Sequence, residues 1–265
     1  MAGSVFARVL RDQRWSLVGW SAVLGLPAVA NVAVFPSIQG MSELTDFIRS
    51  LPPVIQAMIG DPEALTEPEG FLRLKFLSSW LPYLLSLFAI LQASAAIAGE
   101  RERGTIDLLL AQPIERWRVV TEKFAALGAS LVLLCAVVAT ALVASATIVG
   151  VEVDRGWLVL STFNTIPLVL VFGAGTLLAS CNLRRARPAL IAGVLALAST
   201  VFLETLAPIA GALRPLRPLS PLHHFDRSLP LGGELAPGPV LVLIALAAAL
   251  LAASVWTFQR RDLSS

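Results

Sequence analysis

FAALGASLVLLCAVVATALVASATI, residues 124–148, is a run of 25 residues without a charged side chain. A helix that crosses the hydrocarbon core of a bilayer needs about 20 consecutive, mainly apolar residues. Because no water is available there, backbone N–H and C=O groups must bond within the segment, which makes it helical. This stretch therefore predicts a membrane-spanning helix and decides the fold class of the chain.

The same pattern recurs on both sides of this run. Of the 265 residues, 56% are hydrophobic and only 14% are charged, whereas soluble domains carry about 25% charged residues. The long apolar runs lie at about 16–36, 76–98, 124–148, 157–181, 188–210 and 239–258. We therefore predict an all-α polytopic membrane protein with six transmembrane helices, forming one transmembrane domain over residues 1–265.

The basic residues predict the orientation of these helices. If the N-terminus is cytoplasmic, 13 of the 20 Lys and Arg residues lie inside and 7 lie outside. An excess of Lys and Arg is typical of cytoplasmic loops, so both termini are predicted to be cytoplasmic and residues 37–75 to form the longest outer loop. Three arginines, an apolar run and a small-residue site also fit a cleavable signal peptide, but the apolar run continues past that site.

The cytoplasmic segment between spans two and three, GERERGTIDLLLAQPIERWRVVTEK at 99–123, combines dense charge with a compact apolar patch. Gly104 lets the backbone turn sharply after the charged run. Ile106, Leu109 and Leu110 then fall at i, i+3 and i+4, on one face of a short helix that Pro113 ends. Such an amphipathic helix fits a groove on a partner protein or the membrane surface, and the residue pattern leaves both open.

This segment also carries a family resemblance. Its Glu100, Gly104-Thr105, Leu108-Leu109, Pro113, Arg116 and Lys123 resemble the signature of ABC-2-type transporter permeases. Two further stretches, 220–226 and 258–263, are similar to weaker elements of that family. The resemblance implies that 99–123 contains a coupling helix that docks into a cleft on a separate ATPase subunit. Closure of two ATPases on ATP would then switch the pathway between the sides of the membrane.

The resemblance further implies roles for individual side chains. Glu100, Glu102, Arg103 and Arg116 are expected to supply charge pairs to the ATPase, with Leu109 and Leu110 as an apolar anchor. The full set of docking candidates is Glu100, Glu102, Arg103, Gly104, Thr105, Leu108, Leu109, Leu110, Pro113, Arg116 and Lys123.

The chain lacks the means to hydrolyse ATP itself. The phosphate-binding pattern G-x-x-x-x-G-K-[ST] is absent, and the only lysines, Lys75 and Lys123, follow no glycine-rich stretch. We therefore predict a non-enzymatic chain without a directly bound cofactor, with ATP and magnesium held by two copies of a partner ATPase. Six spans is half the usual complement of such a transporter, so a second permease chain is expected, as a homodimer or heterodimer. Membrane lipid is the other expected partner, and nucleic acid is not.

A few polar residues lie outside this segment. Glu204 falls in span five, and a carboxylate inside the membrane usually faces a cavity or a partner. It is a candidate for the substrate pathway or a permease dimer contact, and the alternative is an interfacial residue paired with Arg214. His223, His224 and Asp226 are metal-ligand types, but they are adjacent in a Pro-rich loop, and we predict a structural loop without metal.

The function implied is the permease subunit of an exporter for a hydrophobic or amphipathic substrate such as a drug, antibiotic or lipid. The alternative is an ABC-type membrane scaffold or assembly factor, for example in metalloenzyme maturation, that does mechanical work without bulk export. A secondary transporter would need more intramembrane carboxylates than Glu204 alone. The 18 arginines against 2 lysines resemble a GC-rich bacterial genome, which predicts the bacterial inner membrane as the location.

Overall fold

The computed structural model describes residues 5–38, 50, 66–102, 104, 115–208, 210–228 and 235–260. Within these residues, six helical stretches are long and apolar enough to cross a membrane: Arg14–Ile38, Pro68–Glu102, Trp117–Val149, Arg155–Asn182, Ala186–Leu206 and Pro237–Arg260. Each overlaps one predicted span. In this part of the chain the structure has helices and no strand, so the predicted all-α fold with six candidate transmembrane helices is confirmed there.

We number the helices in chain order. They are α1 (Val5–Asp12), α2 (Arg14–Ile38), α3 (Pro68–Glu102), α4 (Arg116–Val149), α5 (Arg155–Phe163), α6 (Thr165–Asn182), α7 (Ala186–Leu206), α8 (Pro221–Ser228) and α9 (Pro237–Arg260). A 3₁₀ segment, Gly211–Leu219, precedes α8. Helix α3 widens into π-helix twice, at Arg73–Trp80 and at Ala95–Gly99.

Helix α6 lies at the centre of the bundle, where it packs against α3, α4, α7 and α9. Gly173 allows the close approach to α4, because a Cβ at this position would lie 2.7 Å from Leu127 Cδ2. A Cβ at Gly175 would meet only Leu250 Cδ1, at an ordinary 3.9 Å. Small residues are common where transmembrane helices pack closely, and in α6 this role belongs to Gly173.

Helices α7 and α9 bury little of their surface within the chain. Within an 18-residue apolar stretch of each helix, only 11% of the residues of α7 and 17% of those of α9 are buried. Leu195 and Phe202 on α7, and Leu241 on α9, are more than half exposed. Apolar faces of this size are stable against lipid or against another protein.

Several helix boundaries differ from the sequence-based prediction. Helix α3 begins at Pro68, inside the predicted outer loop 37–75. Span five was predicted over 188–210, but α7 ends at Leu206 because Pro208 has no N–H to donate to the carbonyl four residues earlier.

Helix α1 was not predicted from the sequence. Its arginines Arg8 and Arg11 are exposed, while α1 packs on α4 and the Phe6 N–H donates to Glu122 Oε2 at 3.2 Å.

Candidate functional site around segment 99–123

Segment 99–123 joins α3 to α4, and the structure describes its two ends. Glu100 and Glu102 close α3, Arg116 begins α4, and Lys123 lies two turns further along α4. Gly104 has φ +68°, a left-handed conformation that glycine adopts readily, in accord with the predicted turn. The remaining candidates and the predicted coupling helix lie outside the described residues: Arg103, Thr105, Leu108, Leu109, Leu110 and Pro113.

Glu100 and Lys123, the first and last residues of the signature, form an ion pair. The Lys123 Nζ lies 2.6 Å from Glu100 Oε1 and also donates to the Ala96 carbonyl. The Lys123 side chain is 4% exposed and that of Glu100 is 21% exposed. A lysine at this depth requires an anionic partner and hydrogen-bond acceptors. The ion pair therefore fastens α3 to α4 at the points where segment 99–123 leaves and rejoins the bundle.

The π-helical segment Ala95–Gly99 is held by a side chain from α6. Ser180 is fully buried, and its Oγ accepts from the Ala98 N–H at 2.9 Å and from the Ile97 N–H at 3.3 Å. The same hydroxyl donates to the Ser94 carbonyl at 3.0 Å. Buried backbone groups need hydrogen-bond partners, and Ser180 supplies partners to three of them in and beside the π-helical segment.

The last turn of α3 also contacts the loop between α6 and α7. Arg101 Nη1 donates to the Leu183 carbonyl at 3.2 Å, and Glu102 Oε2 accepts from the Ala186 N–H at 3.3 Å. Ala186 is the first residue of α7, where the partial positive charge of the helix N-terminus favours a carboxylate. Sequence reasoning did not identify Arg101 or Ser180, because neither stands out from its neighbours in charge or spacing.

A cavity of about 210 Å³ lies beside the ion pair, between α1, α3 and α4. Glu100 and Lys123 line it together with Asp12, Gln13 and Gln92. Two hydrogen bonds hold its polar walls, since Ser130 Oγ donates to Gln13 Oε1 and Gln92 Nε2 donates to Ser16 Oγ, both at 3.3 Å. The amphipathic α1 therefore covers the same end of the bundle as the ion pair.

Glu204 lies near the opposite end of α7. Its Oε2 is 2.8 Å from Arg217 Nη2 and 3.0 Å from Arg217 Nε, and the Glu204 side chain is 12% exposed. The alternative pairing with Arg214 is wrong, because Arg214 Nη2 donates instead to the Pro208 carbonyl at 3.4 Å. The ion pair fastens the 3₁₀ segment to the end of α7.

The prediction of a loop at His223, His224 and Asp226 is wrong, because these residues lie in α8, close to this ion pair. The rings of His223 and His224 contact edge to face at 5.9 Å, and His224 Nε2 lies 2.9 Å from the Pro218 carbonyl. Among the residues that the structure describes, no three His, Cys, Asp or Glu side chains are grouped as metal ligands. The observed contacts of the two histidines are with each other and with the loop backbone.

Asp226, also in α8, has an unusual environment for a carboxylate. Surrounding protein atoms desolvate its carboxyl group, and this effect and the nearby Glu204 raise the pKa of Asp226 to about 6. Arg73 and Arg217 act in the opposite direction and limit the increase. This end of the bundle therefore combines two carboxylates with two guanidinium groups.

Comparison with known sequences agrees with this architecture. A search among curated proteins returned no match to this chain. A family profile described as ABC-2 family transporter protein matches residues 42–263, which include segment 99–123 and the last five spans. This match covers most of the chain, and the six apolar helices fit a membrane subunit of such a transporter. The chain therefore belongs to the ABC-2 transporter family and is a multi-pass membrane permease.

Proposed function

We propose that the chain is the permease subunit of an ABC exporter, in which a separate ATPase drives a hydrophobic or amphipathic substrate outward. The observation that carries this proposal is the ion pair between Glu100 and Lys123, which joins α3 and α4 at the two ends of segment 99–123. A partner whose contacts with the segment differ between its two nucleotide states shifts the conformational equilibrium of the helix bundle. Because the ends are fastened together, the shift reaches both helices at once.

The docking candidates divide into two groups in this mechanism. Arg103, Arg116, Leu109 and Leu110 contact the ATPase, with the arginines forming charge pairs and the leucines an apolar anchor. Glu100 was expected to pair with the ATPase, but its carboxylate lies against Lys123. We therefore assign to both residues the role of bracing segment 99–123, that is, of holding its two ends together. Glu102 caps α7 and belongs to the same bracing group.

The apolar faces of α7 and α9 support a second permease chain. A face that stays exposed within one chain but is apolar suits a helix interface in the membrane as well as lipid. The complete transporter then contains two permease chains, identical or different, and two ATPase chains that bind ATP and magnesium. We place it in the bacterial inner membrane with both termini in the cytoplasm.

An apolar groove between α3 and α7 supports a hydrophobic or amphipathic cargo. It has a volume of about 620 Å³ and is lined by Tyr83 of α3 and by Val194, Leu197, Ala198, Val201, Phe202, Thr205 and Leu206 of α7. Only Tyr83 and Thr205 bring hydroxyl groups to its wall. A sugar polymer would leave many hydroxyl groups unbonded against such a surface.

Copurification tests the proposal directly. The tagged chain is extracted from its native membrane in mild detergent, and mass spectrometry measures whether an ATPase accompanies it in stoichiometric amount. Leu109→Arg should abolish the association while leaving the permease folded. Leu219→Arg is the matched control, because Leu219 is 77% exposed in the 3₁₀ segment at the other end of the bundle. Absence of any ATPase, or equal recovery with both variants, would contradict docking through this segment.

A further inference from the structure

The Ser180 hydroxyl bridges two backbone groups that bond directly to each other in a regular α-helix. In a regular α-helix, the N–H of residue 98 donates to the carbonyl of residue 94. Here the Ser180 Oγ lies between these two groups, accepting from Ala98 and donating to Ser94. A side chain inserted into the i to i−4 ladder is a known cause of local distortion in a helix. The π-helical segment Ala95–Gly99 coincides with this insertion.

The insertion has consequences for the residues that follow it. If the bond between 94 and 98 closed, the helix would change by about one residue, which corresponds to a rotation of roughly 100° and a rise of about 1.5 Å. Glu100 would then turn away from Lys123, and Arg101 and Glu102 would turn away from the loop between α6 and α7. All three contacts therefore require the conformation in which the backbone hydrogen bond between residues 94 and 98 is not formed.

We propose that Ser180 is a positioning residue, whose inserted hydroxyl sets the rotation of Glu100, Arg101 and Glu102 and thereby places segment 99–123 for its partner. The inference rests on the proposed docking function of that segment. Ser180 touches neither substrate nor ATPase and acts through the backbone of α3. The end of α3 therefore has two discrete conformations, with the backbone hydrogen bond between Ser94 and Ala98 either broken or formed. Ser180 favours the conformation in which the ion pair between Glu100 and Lys123 forms.

The two lysines of the chain make this setting measurable. Lys123 is 4% exposed and paired with Glu100, whereas Lys75 is exposed. The full chain in detergent is treated with an amine-acetylating reagent, and mass spectrometry follows the acetylation of Lys123 relative to Lys75. Cys135, fully buried beside α2 and α3, is probed in parallel with a thiol reagent as a reporter of overall folding.

Three variants separate positioning from general stability. Ser180→Ala removes the hydroxyl and should increase Lys123 acetylation about tenfold, the factor that corresponds to about 1.4 kcal/mol, while Cys135 stays protected. Ser180→Thr keeps the hydroxyl and should restore the slow rate. Ser254→Ala is the matched control, since Ser254 is also fully buried but its hydroxyl donates only to Leu250 of its own helix.

The outcomes are distinct. Unchanged Lys123 acetylation in a folded Ser180→Ala variant overturns the inference, as does an equal increase in Ser254→Ala. If Ser180→Ala exposes Cys135, Ser180→Cys provides the second test, because a thiol fills the site but forms only weak hydrogen bonds. Ser180→Cys should accelerate Lys123 acetylation while Cys135 stays protected. A rate of Lys123 acetylation equal to that of the wild type overturns the inference.

Recovery of the copurifying ATPase with Ser180→Ala separates this inference from the proposed function. Weaker recovery than with Ser254→Ala is expected. An unchanged recovery alongside faster acetylation refutes placement for docking. If no ATPase binds even to the native chain, the proposed function fails, while the acetylation result still decides whether Ser180 sets the end of α3.

Discussion

The ion pair between Glu100 and Lys123 gives the sharpest prediction about stability. Lys123→Met keeps most of the side-chain volume but removes the cation that lies 2.6 Å from the Glu100 carboxylate. Removal of one partner from a buried ion pair destabilises a protein by about 3–5 kcal/mol. Since the Glu100 side chain is 21% exposed, water partly solvates the remaining carboxylate, and we expect a smaller loss of about 2–3 kcal/mol.

The reciprocal variant should be more damaging. Glu100→Gln leaves the Lys123 ammonium in place, and the side chain that carries it is only 4% exposed. We therefore expect the full loss of about 3–5 kcal/mol. Removing both charges avoids an uncompensated ion, so the double variant should be at least about 2 kcal/mol more stable than the sum of the single losses implies. Arg118→Met, an exposed basic position on α4, is the control and should change stability by less than about 0.5 kcal/mol.

The native cysteines provide the assay. Cys135 and Cys181 are both fully buried, so a thiol-reactive dye reports the thermal unfolding of the chain in detergent. With about 2–4 °C for each kcal/mol in a chain of this size, Lys123→Met should lower the midpoint by roughly 4–12 °C. Additive effects in the double variant, or a milder loss in Glu100→Gln than in Lys123→Met, would refute the geometry on which the reasoning rests.

The remaining predictions concern packing and pH. Gly193→Ala should lower the thermal midpoint by several degrees, because the added Cβ would lie 2.3 Å from Thr176 Oγ1 on α6 and overpacking costs about 1–3 kcal/mol. Gly175→Ala should leave the midpoint unchanged, because its Cβ would lie 3.9 Å from Leu250 Cδ1. Arg217→Met should release the 3₁₀ segment from Glu204 and accelerate its cleavage in limited proteolysis, while Arg217→Lys retains part of the protection. Because the pKa of Asp226 is raised from 3.8 to about 6, its stabilising contribution is present below about pH 4 and is lost as the pH rises through about 6. The midpoint of Asp226→Asn should therefore rise relative to wild type between pH 4 and 7, and a difference independent of pH would contradict this.

The spans could be predicted because bilayer thickness imposes a length on them. Residues 124–148 fall within α4, and charges mark both ends of that run. The end of α7 was missed, because no charge separates Leu206 from the loop and only Pro208 interrupts the helix. Composition therefore identified the six membrane-spanning helices but not the short α1 and α8, and the helix ends depended on individual backbone donors.

The contacts at segment 99–123 were only partly accessible from the sequence. Glu100 and Lys123 were selected by family resemblance, but 23 positions separate them, and their pairing follows from the packing of α3 on α4. Glu204 posed a similar problem, since Arg214 and Arg217 both lie within reach along the chain. The path of the 3₁₀ segment brings Arg217 to the carboxylate, and no local pattern distinguishes the two arginines.

Ser180 shows why a residue that bridges two helices can be hidden in a sequence. Serines are common in transmembrane helices, and several in the described part of this chain donate to a carbonyl of their own helix, as Ser254 does. Ser180 differs only because α3 passes close enough for its hydroxyl to enter another helix's ladder. The nine residues 94–102 thereby acquire side-chain bonds to α4, α6 and the start of α7. A displacement of segment 99–123 must then move three helices or break one of these bonds, which is what the proposed docking of an ATPase at this segment requires.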